Sequence, residues 1–540
     1  MNNEKIRSIP ESAYDVLIVG AGWSGMYMLY QCRRLGLSAR IIEKGPSVGG
    51  TWYWNRYPGL RCDVESVEYS FSFDKELEQE WNWSERYASQ PEILRYANHV
   101  ADRFDLRRDI SFNTKLTALH YDETTTRWTA TTEDQQTVKA QYVVMATGCL
   151  TIPKDPAIPG LDQFKGEVYH TSSWPHDPVD FRGKRVGVVG TGSSGIQAIP
   201  IIAEQADHLY VYQRTPSYSL PAHNRKLTPE QISQVKAHYD ELRNEARHHM
   251  VGIPGETYAA SAFDLDEAER TQIYQRIYDQ GRPFALMVAF GDVLIDEKAN
   301  KTAQEFLAAR IRERIKDPEL AEQMVPRDQF AGTRRLCIDT NYYETFNRDN
   351  VTLKNLQKDP IKRITDKGIE TERGFEALDC LVFATGYDAM TGALMSLDIR
   401  GKGGQTLRSK WAEGPRTMMG LMTAGFPNLF IVTGPGSPSV LSNMLISIEQ
   451  HVEWIAGCLD HLSKHGKRQI EASIEAEDQW VDHANAVAHS TLFPKGNTWY
   501  MGANISGKPR IFMPYIGGVG NYRQLCEQVA RDGYRGFITQ

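Results

Sequence analysis

The sequence predicts an α/β protein made of two doubly wound, Rossmann-like domains, the second set into the first and carrying a helical insertion. Three observations predict it. The pattern G-x-G-x-x-G occurs twice, each time directly after a short apolar run. Each copy is followed by a second apolar run that ends on a charged residue. Two further apolar runs close on the same tripeptide, Ala-Thr-Gly. Strand, glycine turn, helix and strand in that order make a parallel βαβ unit with a right-handed crossover.

The first unit begins with Tyr14 to Val19 and turns through Gly20-Ala21-Gly22-Trp23-Ser24-Gly25. A helix from Met26 to Leu35 and a strand from Ser38 to Ile42 follow, and Glu43 stands eighteen residues after Gly25. The second begins with Arg185 to Val189 and turns through Gly190-Thr191-Gly192-Ser193-Ser194-Gly195. Its helix runs from Ile196 to Glu204 and its strand from His208 to Tyr212, with Arg214 nineteen residues after Gly195. In such a unit the first glycine allows the turn, the second lets backbone N–H groups approach a pyrophosphate, and the third lets helix and strand pack. The phosphates rest at the positive helix N-terminus. An acidic residue at the second strand's end bonds ribose hydroxyls, whereas an Arg accommodates a 2′-phosphate. One site therefore suits a dinucleotide with a free ribose and the other NADP.

The paired strands Tyr142 to Gly148 and Cys380 to Gly386 each end in Ala-Thr-Gly, and each closes its half. After the first comes Thr151 to Gly160, a stiff linker with Pro153, Pro156 and Pro159. The expected division is a first domain over 1–149, an inserted domain over 150–386 and the remainder of the first over 387–540. Within the insertion, residues 220–330 read mainly as helix from Leu220 onward. Thr228-Pro229-Glu230-Gln231 is a capping box with Pro at the first helical position. Ile232, Val235, Tyr239 and Leu242 continue it, and Leu307, Ile311 and Ile315 mark another stripe, both read as packing faces. Ile448, Val452, Ile455, Leu459 and Leu462 mark a further helix near the C-terminus.

Bulk composition narrows the function classes. A length of 540 residues suits several domains with large cores. A net charge of −7 gives no reason to expect nucleic acid or an anionic membrane as partner. No apolar run approaches the ~20 residues of a membrane span, and the polar Met1 to Lys5 does not resemble a signal peptide. The seven cysteines are scattered and include no C-x-x-C pair, so reduced thiols in a cytoplasmic protein are expected, with no metal site.

Two segments carry more than packing. Gly49-Gly50-Thr51-Trp52 leads into Tyr53 to Asp63, an aromatic loop that also contains Arg56, Arg61 and Asp63. Polar groups in such a loop need partners, and a ligand supplies them economically. After the linker, Phe164, Gly166, His170, Trp174 and Pro175 punctuate a short segment between the domains. On chemistry alone His170 is read as structural, fixing or gating the domain orientation.

These segments resemble the type I flavin-dependent Baeyer–Villiger monooxygenases. F-x-G-x-x-x-H-x-x-x-W-P over Phe164 to Pro175 is that family's fingerprint, and G-G-x-W-x-x-x-x-Y-P-G-x-x-x-D over Gly49 to Asp63 is similar to its second signature. The resemblance covers essentially the whole chain. It implies bound FAD, with NADPH and O2 as co-substrates, and a C4a-peroxyflavin that inserts one oxygen into a ketone to give an ester or lactone. It implies Arg335 as the catalytic cation with Asp63 beside it. For FAD it implies Gly20, Gly22, Trp23, Ser24, Gly25, Glu43, Gly50, Thr51, Trp52, Asp63, Tyr69, Leu116 and Met444. For NADP it implies Arg61, Thr191, Gly192, Ser193, Ser194, Gly195, Gln197, Arg214, Thr215, Arg334, Arg335 and Trp499. Many relatives carry Lys where this chain has Arg334, and Arg binds phosphate at least as well. The competing expectation is a flavin N- or S-monooxygenase, which would use the peroxyflavin as an electrophile, with sulfides as side substrates of either enzyme. A disulfide reductase would need a redox cysteine pair, and a non-catalytic sensor would not need Arg335 and Asp63. A monomer or weak homo-oligomer is expected.

Overall fold

The computed structural model describes residues 13–540, so Met1 to Lys5 lie outside the described residues. Two parallel-centred sheets organise the chain. In the larger, Ala13–Val19 lies between Ala39–Ile42 and Thr137–Met145, parallel to both. Ile110–Ser111 extends one side in parallel, and Leu429–Ile431 also runs parallel to Thr137–Met145. An antiparallel meander of Leu116–Asp122 and Arg127–Thr132 continues from Thr137–Met145, and Asp398–Arg400 closes that edge. The strands Ala13–Val19 and Thr137–Met145 are buried on both faces along most of their length, which is why they read as continuous apolar runs rather than alternating ones.

The second sheet has five parallel strands in the order Val351–Asn355, His208–Gln213, Arg185–Val189, Cys380–Phe383, Glu167–His170. All five come from the middle of the chain, while the first sheet draws on both ends. The domain built on the second sheet is thus inserted into the domain built on the first. Both Ala-Thr-Gly segments follow strands that neighbour a fingerprint strand.

The helices after the fingerprints, Trp23–Arg34 and Ser193–Gln205, begin earlier than the apolar spacing predicts, because the glycine turn itself forms the first helical turn. The insertion is helical, and the capping box at Thr228 is formed in both directions. One correction concerns its start. Leu220 is not helical: Ser219–Pro221 is a short strand, parallel to Cys337–Asp339. The C-terminal stripe lies in the 21-residue helix Met444–Lys464, which packs on the helix Trp23–Arg34. Among the described residues no helix is long and apolar enough to cross a membrane.

Candidate active site

The fingerprint turns are built for close backbone approach. Gly20 has φ of +105°, and a Cβ there would lie 2.6 Å from the Ala146 carbonyl oxygen. Gly20→Ala is therefore expected to strain the turn by about 1–3 kcal/mol and to yield protein that does not retain FAD, read from the absorbance of the purified protein. At Gly192, by contrast, a Cβ would meet nothing within 4 Å. The glycine faces open space, as a cradle for a pyrophosphate should. Neither helix Trp23–Arg34 nor helix Ser193–Gln205 has a side-chain N-cap bond, so their first N–H groups remain for an anion.

Glu43 is buried at the mouth of the first turn. One carboxylate oxygen accepts the Ala21 N–H at 2.7 Å and the other the Gly45 N–H at 2.7 Å. Each oxygen keeps a further lone pair for a ribose hydroxyl. Burial raises the carboxyl above its usual range, while the two N–H groups and Lys44 pull it down. Ser24 and Trp23 are buried in the first helical turn, and the Gly50 Cα approaches Gly22. Thr51 is exposed and Trp52 buried, its indole N–H donating to the Tyr69 hydroxyl at 3.2 Å. Met444 is half-buried at the first turn of its helix, whose cap Asn443 accepts from Leu445. Leu116, the first residue of the meander, is buried in the apolar core that the meander shares with Val19 and Ile42.

The signature loop reaches across to the second domain. Tyr57 donates its hydroxyl to Gln197 Oε1 at 3.0 Å, and Gln197 Nε2 donates to the Arg61 carbonyl at 3.0 Å. The Arg61 guanidinium is itself held by Glu85 and by the Tyr87 carbonyl. Thr191 donates its hydroxyl to the Thr215 carbonyl at 3.1 Å, and the Ser193 hydroxyl meets the Cys337 thiol at 3.1 Å. Gly195 and Ser194 continue the same turn, a Cβ on Gly195 falling 2.2 Å from the Gly190 carbonyl oxygen.

Arg214 and Arg334 stand near each other, and neither guanidinium has a carboxylate partner among the described residues. Burial lowers Arg334, and the like charge of Arg214 adds to it, against Cys337 and Tyr500. Lys154, which sequence reasoning did not single out, is likewise lowered by burial and by Arg214. Unpaired cations of this kind await an anion. Arg214 and Thr215 line a wide, open groove that also includes Thr498. Thr498 Oγ1 and Gln213 Oε1 are buried beside it without a hydrogen-bond partner. These residues fit NADP, and the first turn with Glu43 fits FAD.

Arg335 and Asp63 meet although 272 residues separate them. Arg335 Nε donates to Asp63 at 2.5 Å and Nη2 to its other oxygen at 2.8 Å, a bidentate fork, while Nη1 donates to the Val440 carbonyl at 2.7 Å. Burial opposes the charge on Arg335, but Asp63 outweighs it and the pKa is raised above its usual value. The Phe284 ring lies 4.6 Å from the guanidinium. Among the described residues Arg335 is the one charged group lining a small cavity, among Met250, Phe284, Met287, Leu441 and Phe493. Phe284 and Met287 belong to the short helix Pro283–Val288, and no local signal in the sequence places that helix over Arg335. Trp499 is half-buried, its ring 4.1 Å from that of Tyr500, and Tyr500 lines the cavity too.

The fingerprint segment packs rather than reacts. Phe164 is buried, Gly166 leaves no room for a Cβ beside Phe164 and the Asp379 carbonyl, and Trp174 lies against Tyr169. His170 stacks on Phe383 at 5.1 Å, and burial lowers its pKa. Pro175 follows at a half-buried turn. The segment thereby anchors the edge strand through which the linker enters the second sheet.

Comparison with known proteins agrees with this geometry. A family profile described as pyridine nucleotide-disulphide oxidoreductase matches residues 17–274, although all seven cysteines are buried and free of disulfides. A Baeyer-Villiger monooxygenase of Pseudooceanicola batsensis is 42% identical over 528 residues, covering 97% of this chain and 96% of that one. A solved oxidized steroid monooxygenase bound to NADP shares 49% identity with a TM-score of 0.94, over 98% of this chain and 99% of the other. A complex of OTEMO with FAD and NADP shares 38% identity with a TM-score of 0.95, over 98% and 99%. The chain belongs to the Baeyer–Villiger monooxygenases, and it is an FAD- and NADPH-dependent flavin monooxygenase acting on ketones.

Proposed function

We propose that this enzyme oxygenates apolar ketones in the cavity above Arg335, and that Arg335 and Asp63 are its catalytic pair. The observation that carries the reading is a forked, permanently cationic guanidinium in an otherwise apolar pocket. Bound FAD, once reduced by NADPH, supplies the activation of O2. The chain supplies the electrostatics. Arg335 offers a positive charge that does not titrate in the working range, in a site where exclusion of water makes that charge count. It stabilises negative charge on oxygen as the carbonyl is attacked. Asp63 fixes the plane of the fork and balances the buried charge. The lining side chains other than Arg335 exclude water, and the Arg335 fork is already taken up by Asp63, so a charged ketone finds little to offset its desolvation.

Around this pair, Gly20, Gly22, Ser24, Glu43, Trp52 and Met444 are assigned to FAD, and Thr191 to Gly195, Gln197, Arg214, Thr215, Arg334 and Trp499 to NADP. The domain limits near 149 and 386 follow the change of sheet membership along the chain. The seven buried thiols fit a cytoplasmic setting, and we assign a monomer or weak homo-oligomer, a state that sedimentation reads directly.

The decisive experiment is product analysis by mass spectrometry with NADPH and O2. The panel should hold apolar aryl, cyclic and linear ketones, a keto acid and one thioether. Esters one oxygen heavier are expected from the apolar ketones, with the keto acid poor. Sulfoxide from the thioether with no ester from any ketone would overturn the reading.

A further inference from the structure

Arg335 is held by acceptors at its edges. Asp63 takes Nε and Nη2, and the Val440 carbonyl takes Nη1. Three of its five N–H groups are thereby used, and one more stays on each terminal nitrogen. These contacts leave the two faces of the guanidinium. One face is covered: Arg335 Cζ lies over the Phe284 ring, 4.6 Å from its centroid.

The chain fixes Phe284 at that face by polar contacts as well as by packing. The helix Glu267–Gln280 ends at Gly281, where a φ of +63° turns the chain. A Cβ at Gly281 would lie 2.5 Å from the Pro221 carbonyl oxygen, so the turn sits hard against the strand Ser219–Pro221. The Tyr87 hydroxyl donates to the Gly281 carbonyl at 2.7 Å. Arg282 then pairs with Glu68 at 2.9 Å and with Glu65 at 3.5 Å, and Pro283 starts the short helix that carries the ring. Glu65 and Glu68 follow Asp63 closely in the chain. The segment that supplies the acid partner of Arg335 thus also clamps the turn that brings its aromatic partner.

The type of residue matters here. An aliphatic side chain such as Met287 or Leu441, on the same cavity, would exclude water from the guanidinium face equally well. An aromatic face also attracts the cation when it lies within about 6 Å. It does so without taking an N–H group and without neutralising the charge, whereas a carboxylate would do both. Acids are at hand: Phe284 also lines the cleft behind Asp63 where Glu65 and Glu68 stand. They pair instead with Arg86 and Arg282.

We propose that Phe284 is a positioning residue for oxygen transfer. Its ring holds the Arg335 cation in one orientation, so that the opposite face and the two remaining N–H groups meet the carbonyl oxygen of the ketone. The role rests on the ketone-oxygenation reading, which the wild-type enzyme tests by itself.

Fluorine withdraws electron density from a ring face and changes its size little. Mono-, di- and trifluorinated phenylalanine placed at position 284 alone therefore vary the attraction while keeping the packing. The holoenzyme is given NADPH, O2 and saturating ketone, and the ratio of ester formed to hydrogen peroxide released is measured together with KM for the ketone. The ratio should fall with each added fluorine, by about 2- to 30-fold over the series, the range that a cation–aromatic contact is worth. KM should change little. Phe284→Leu keeps an apolar wall without the ring and should lie at or below the end of the series. A ratio that stays flat across the series, with only KM altered in Phe284→Leu, would make the ring a wall and overturn the proposal. If Phe284→Leu does not retain FAD, the fluorinated series decides alone. If the wild type makes no ester from any ketone, the functional reading fails and this role falls with it. A flat series in an ester-forming enzyme removes the role of Phe284 alone.

Discussion

Arg335→Ala is expected to end ester formation while NADPH oxidation continues, its electrons ending on hydrogen peroxide. Hydride transfer rests on the two nucleotide sites, to which the glycine turns, Glu43 and Arg214 are assigned. Oxygen transfer to a carbonyl needs the fixed positive charge. Removing a single preorganised donor from such a site costs roughly 10²–10³ in rate. Here the loss should reach at least that size, because the residue is the one charge lining the cavity. Arg335→Lys is the informative companion. It keeps a charge but loses the two-pronged contact with Asp63 and the third contact with the Val440 carbonyl. Its ester yield should fall between wild type and Arg335→Ala. Since Asp63 keeps Arg335 cationic well above its ordinary value, no pH limb of ester formation belongs to this residue. Coupling, measured as ester formed per NADPH consumed, is the readout. An unchanged ratio in Arg335→Ala would remove the residue from the chemistry.

The parts of this site legible in the sequence are those written over short spans. Both glycine turns, Glu43 and Arg214 follow from strand, turn and helix within some thirty residues, and the parallel pairing of the flanking strands is present in both sheets. The meeting of Asp63 with Arg335 has no such local signature. Chemistry alone leaves Arg335 a solvated or salt-bridged arginine, and only resemblance to a family pairs it with Asp63. Phe284 was invisible for a related reason. The apolar spacing in the helical insertion says which face is buried, not what it is buried against, and the partner turns out to be the guanidinium. The misread start of the insertion has the same cause. Ser219–Pro221 is too short for its periodicity to distinguish strand from helix, and what settles it is a partner strand far along the chain. Lys154 was hidden in a linker read for its prolines. Its charge matters because of Arg214, a proximity that folding creates.

Arg214→Ala should raise KM for NADPH roughly 10- to 100-fold, as loss of a charge-assisted bond of about 1.5–3 kcal/mol implies, with little effect on NADH. The structure gives this prediction a second face. Arg214 lowers both Arg334 and Lys154, so without nucleotide Arg214 is repelled by each of them. The 2′-phosphate relieves that repulsion as well as forming new bonds, which makes it worth more here than in a neutral pocket. Removing Arg214 therefore takes away an attraction in the complex and a repulsion in the free protein. Two consequences are expected together. The free variant should melt at the same temperature as wild type or slightly above it, and the stabilisation conferred by NADP⁺ should shrink. Salt should weaken NADPH binding more in wild type than in the variant, because the wild type neutralises more charge at an exposed edge of the groove. Arg334→Ala should act in the same direction, and the double variant should lose less than the sum of the two, since each arginine raises the value of the phosphate to the other. Equal losses of NADPH and NADH affinity in Arg214→Ala would show that it holds the adenosine rather than the phosphate, and the assignment of this groove to NADP by its 2′-phosphate would fail.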